Sequence, residues 1–116
     1  MKKILFTILL LFIISCEAIF VENISSKSIT LIAPSDASKL SSGIINFNWN
    51  SLEDSQDYHL QIASPNFSNA TQIVLDTIII STSFNKELST GKYEWRIKAK
   101  NLEYETGYTT NSLTVN

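Results

Sequence analysis

Residue types that carry most site chemistry are scarce in this 116-residue chain: it holds one cysteine, Cys16, and one histidine, His59. His59 sits between Tyr58 and Leu60 in an alternating stretch, which predicts an outward, solvated imidazole. With a single His and a single Cys, no nitrogen–sulfur metal set can be completed. Glu53, Asp54 and Asp57 gather three carboxylates, a chemistry suited to calcium. They lack the D-x-D-x-D-G spacing of a calcium loop, so a solvated turn is the expectation. Serines are plentiful, but no G-x-S-x-G occurs and no histidine base accompanies a nucleophile. No phosphate-cradling glycine loop is present, and Gly43, Gly91 and Gly107 read as turn positions. Neither catalytic residue, cofactor nor metal is expected. Tyr104 and Tyr108 stand apart: they flank Glu105-Thr106-Gly107 before the last apolar segment. Rings in such a loop need not be buried, so they are candidate contacts for a protein or sugar partner.

The elements that must position these residues are strands. The segment 45–49 alternates Ile45, Phe47 and Trp49 with Asn46 and Asn48, and 58–62 alternates Tyr58, Leu60 and Ile62 with His59 and Gln61. The cleanest alternation runs over 93–100: Tyr93, Trp95, Ile97 and Ala99 share one parity, Glu94, Arg96, Lys98 and Lys100 the other. Segments 28–34, 71–80, 82–88 and 112–115 complete the set, with 35–43, 51–57 and 64–70 as loops. Phe84, Leu113 and Val115 are expected inward. Short strands at this spacing, with no helical period after Cys16, predict an all-β sandwich or barrel. A composition of 44% apolar and 17% charged residues, with a mean hydropathy of +0.07, is that of a globular domain.

The N-terminus is different. Lys2 and Lys3 precede an apolar run from Ile4 to Ile14, broken only by Thr7. A bilayer-spanning helix needs about 20 apolar residues, so this run is too short. A charged start, a short apolar core and a small residue near its end read as a secretory signal. Loss of residues 1–15 removes two lysines and no acid, which moves the net charge from −2 to −4. An acidic domain argues against a nucleic-acid partner. Residues 16–28 read as a tether able to reach roughly 40 Å, with Ile19, Phe20 and Val21 apolar enough to pack on the domain or lie at a lipid interface.

Ile13-Ile14-Ser15-Cys16 resembles a bacterial lipobox. That resemblance implies removal of residues 1–15 as a signal peptide, and a lipid-bearing Cys16, palmitate included, as the first residue of the mature chain. It implies a membrane partner through that anchor. Glu17 does not match the aspartate of inner-membrane retention, so the outer membrane is expected, on its periplasmic or cell-surface face. Asp76-Thr77-Ile78 is similar to the O-glycosylation pattern of Bacteroidetes-type envelope proteins, which makes Thr77 a candidate. Asn23, Asn66 and Asn69 begin N-x-S/T sequons that carry no such meaning in a bacterium.

"INFNWN", "DYHLQIA" and "LSTGKYEWRIKAKN", in that order, resemble a fibronectin type III domain over residues 29–116. Tyr93 stands at the position of that family's tyrosine corner, whose hydroxyl bonds back to nearby backbone. The resemblance implies an immunoglobulin-like β-sandwich serving as a non-catalytic interaction module, for a protein partner or envelope assembly. The alternative is an accessory glycan-binding lipoprotein of a polysaccharide-uptake system. In that fold the first strand starts at the pole of residues 52–57 and 104–108, so the tether is expected to leave there. A soluble partner would then meet the opposite pole, residues 35–43, 64–71 and 88–91, while Tyr104 and Tyr108 would serve the membrane side.

Overall fold

A computed structural model describes residues 20–116. The expected signal peptide 1–15 and Cys16 lie outside the described residues. Eight strands follow in order: β1 (Leu31–Ala33), β2 (Ser38–Leu40), β3 (Gly43–Trp49), β4 (Asp57–Ser64), β5 (Gln72–Ile79), β6 (Ser83–Leu88), β7 (Gly91–Lys100) and β8 (Thr109–Val115). They form two sheets, β1-β3-β6 and β2-β8-β7-β4-β5, packed as an all-β sandwich. The core comes from the inward parity of each strand: Ile45, Phe47 and Trp49 meet Tyr58, Leu60, Ile62, Trp95, Ile97, Leu113 and Val115. Trp95 is its centre, with the Phe47 ring edge-on at 5.1 Å and Trp49 at 6.4 Å. Edge-to-face packing suits the ring quadrupoles and adds to what the buried area contributes. Phe84 packs against this core from β6. On the outer face of the smaller sheet, Asn46 donates to Ser83 Oγ and Asn85 Oδ1, and Asn48 donates to Asn46, as the polar parity predicts. The Tyr93 hydroxyl donates to the Ser89 carbonyl at 2.8 Å, closing the expected tyrosine corner.

Two boundaries differ from the sequence reading. Segment 35–43 is not wholly a loop: Ser38–Leu40 pairs in parallel with Leu113–Val115. The first strand therefore changes sheets. Asp36 accepts the Ser112 amide at 2.8 Å, and the Ala37 amide donates to the Ser112 carbonyl at 2.9 Å, fixing the crossover onto β8. A three-residue strand without alternation leaves no signal in the sequence.

The expected tether 16–28 is likewise shorter. Ile24 is fully buried and Ile29 nearly so. Asn23 Oδ1 accepts the Ser25 amide, and the Lys27 amide donates to the Ile24 carbonyl at 2.9 Å. This Asx-type turn presses Ile24 into the core. Asn23, read as the start of a sequon, has a structural role.

Candidate functional site on the five-stranded sheet

The outer face of the larger sheet gathers the polar parity of β4, β5 and β7. Register places His59 opposite Lys98, Gln61 opposite Arg96, and Asp76 opposite Gln61. Tyr108 enters this face from the position just before β8. Arg96 is the hub. Its guanidinium carbon lies 3.9 Å from the centre of the Phe67 ring and 4.1 Å from that of Tyr108, so two rings clamp one cation. Its Nε donates to Gln61 Oε1 at 2.8 Å. Phe67 is held by its own amide, which donates to Glu94 Oε1 at 2.8 Å. Lys98 reaches the Tyr108 ring at 4.8 Å and Glu105 Oε1 at 3.2 Å.

His59 is not the freely solvated imidazole expected from its position; its side chain is only 19% exposed. Nε2 bonds the Asp76 carboxylate, and Nδ1 lies 3.2 Å from the Tyr108 hydroxyl. With Nε2–H given to the carboxylate, Nδ1 is left to accept the phenol proton. The hydrogen bond from His59 holds the Asp76 carboxyl below its ordinary value. Desolvation of the carboxyl opposes this, while the hydrogen bond from Gln61 and the positive charge of Arg96 assist. Asp76–His59–Tyr108 has the order of a proton relay. It lies on an open sheet face with its phenol ring packed against two cations. Such a preorganised array of rings, cations and acceptors suits recognition of a surface.

The other sequence candidates disperse. Tyr104 does not share this face: its side chain packs against the core, and its amide donates to Asn101 Oδ1. Thr77 lies opposite the fully buried Leu60, on the core-facing side of edge strand β5, and is half-buried. Glu53 and Asp54 are exposed, and Asp54 lies 3.8 Å from Lys27. Among the described residues no three carboxylate, imidazole or thiol groups converge as a metal set. Phe67 and Asn101 escaped the sequence reading. Neither sits in an alternating pattern, and each acquires its role from partners more than 20 residues away.

No family model matches this chain, and no curated protein matches it. Solved structures do. A fibronectin(III)-like module of Clostridium thermocellum CbhA superposes with a TM-score of 0.55 at 9% identity, covering 76% of this chain and 95% of that one. The protein FN3tt gives 0.54 at 13% identity, with 76% and 95% covered. A fibronectin type III domain from the human KIAA0970 protein gives 0.55 at 12% identity, with 76% and 72% covered. The fold of the described β-sandwich is thus that of a fibronectin type III-like domain, an immunoglobulin-like sandwich.

Proposed function

We propose that this chain is a bacterial outer-membrane lipoprotein, anchored through Cys16, whose fibronectin type III-like domain is a non-catalytic interaction module for a protein partner in envelope assembly. The contact surface is the outer face of the five-stranded sheet. The observation that carries this reading is the Phe67–Arg96–Tyr108–His59–Asp76 array, in which each side chain orients the next. Preorganised rings and a guanidinium lose little freedom on binding, and such residues dominate interface energetics. The array runs from Tyr108 to Phe67 of the 64–71 loop, so it includes part of the pole expected to meet a soluble partner. The glycan reading gains nothing here, because Phe67 and Tyr108 each spend a ring face on Arg96.

Two measurements test this. Labelled palmitate should enter the wild-type chain and not a Cys16→Ser variant; retained label would overturn the anchor. A photo-crosslinking residue at Thr110, exposed and opposite Arg96, should capture a defined envelope protein. The same probe at Ile44, on the other sheet, should not. Equal capture at both positions would overturn the assignment of the face.

A further inference from the structure

The pole from which the N-terminal segment departs carries an unusual share of exposed apolar surface. Asn101 fixes the departure: its Nδ2 donates to the Glu22 carbonyl at 2.8 Å and to the Asp54 carbonyl at 3.1 Å. Phe20 and Leu102, 82% and 71% exposed, line one shallow recess of about 240 Å³. Ile80, 84% exposed, follows the end of β5 at the same pole. These are three of the four most exposed large hydrophobic residues described; the fourth, Ile44, lies on the opposite sheet. Isolated apolar residues on a surface need no explanation, but a group gathered at one end does.

We infer that Phe20, Ile80 and Leu102 form a seat that rests on the lipid surface, so that the domain stands with this pole on the membrane. The inference depends on the Cys16 anchor proposed above. The chain length supports it. Because Ile24 is buried and Glu22 is clamped, no more than the residues from Cys16 to Glu22 separate the anchor from the packed domain. Six residues reach at most about 20 Å, and the four from Cys16 to Phe20 about 14 Å. A lipid on Cys16 therefore brings Phe20 to the headgroup region whatever path the segment takes. The acyl chains hold the protein, and the three side chains orient it. Glu22, Glu53 and Glu103 are exposed beside the seat, with Lys27 and Asp54 paired to each other. That charge favours neutral, zwitterionic headgroups over anionic ones.

The orientation presents the Phe67 end of the sheet face to solvent. It is tested with the full, lipidated chain carrying Leu102→Cys, or Ser42→Cys at the opposite pole, in phosphatidylcholine vesicles. A thioether-linked Cys16 cannot react, so each protein has one reactive thiol for a membrane-impermeant maleimide. Relative to detergent, vesicles should slow labelling several-fold at position 102 and leave position 42 unchanged. Adding Phe20→Ser and Ile80→Ser, both at exposed positions, should abolish the protection while the protein stays with the vesicles. Equal rates at both positions on vesicle-bound, acylated protein would overturn the seat and leave the anchor intact. Protection that follows protein concentration rather than lipid would assign the patch to a second copy and overturn it too. Protection that grows with added phosphatidylglycerol would replace the apolar seat with an electrostatic one. An intact mass without acyl groups, together with a second labelled thiol at Cys16, would overturn the anchor and the seat with it.

Discussion

Replacement of Ile24 by alanine separates a folded N-terminal segment from a loose tether. Ile24 is 0% exposed and belongs to the core cluster. The substitution deletes three carbons' worth of apolar side chain, about 2.4 kcal/mol at ~0.8 kcal/mol per buried methylene, before any cavity is counted. The surrounding strands cannot collapse onto the gap without moving the sandwich, so a total near 3 kcal/mol is expected, within the range of about 2–5 for buried Ile→Ala. For a domain of about 100 residues this lowers Tm by roughly 12–24 °C. The assay is thermal and urea unfolding of a soluble form starting at residue 17, with unchanged m-value as the sign of an intact native fold. Removal of residues up to 27 should cost at least as much, since it also breaks the Lys27–Asp54 pair. If Ile24→Ala stayed within ~0.5 kcal/mol of wild type, as exposed substitutions do, the packing of this segment would be refuted.

Tyr93→Phe should lower stability by about 1 kcal/mol in urea unfolding, the net worth of one hydrogen bond to the Ser89 carbonyl. Backbone conformation gives a pair of opposite sign: Ala37 has φ 61° and Gly43 has φ 136° with open space around it. Ala37→Gly should therefore stabilise by up to ~1 kcal/mol, and Gly43→Ala should destabilise by about 1 kcal/mol or more through strain alone. Two carboxyls sit below their ordinary value of 3.8: Asp36 through the hydrogen bond from the Ser112 amide, and Asp76 through that from His59. A carboxyl depressed in the folded state contributes its stability in full above the unfolded value. That contribution is lost as pH falls through the lower folded value. Unfolding midpoints should thus drop below pH 3.8, and less so in Asp36→Asn, whose amide oxygen still accepts the Ser112 amide.

The strand set and its core were legible from residue order. Inward Trp49, Tyr58, Tyr93 and Trp95 and outward Asn46 and Asn48 follow from a period of two, while the tyrosine corner was implied by the resemblance to fibronectin type III domains. These are local signals: the backbone pleat alone sends alternate side chains to opposite faces. Ser38–Leu40 and Ile24 were not legible for the same reason. A three-residue strand shows no period, and one buried isoleucine within a polar stretch looks like any exposed one.

The candidate site lay between these cases. The sequence placed His59, Gln61 and Arg96 outward, which is correct, and read the imidazole as solvated, which is not. Whether an outward residue is free or engaged depends on its cross-strand neighbours, and those are fixed by register and by loops that fold back. Asp76, Phe67 and Tyr108 come from three separate segments and meet only because β5, the 64–71 loop and the approach to β8 converge on one sheet. Tyr104 and Tyr108, four residues apart, went to opposite fates: one ring packs on the core, the other clasps Arg96. Alternation along the chain therefore determined which side chains are buried in the strands. Pairing between distant strands, where the free energy of association is collected, decided which surface residues act together.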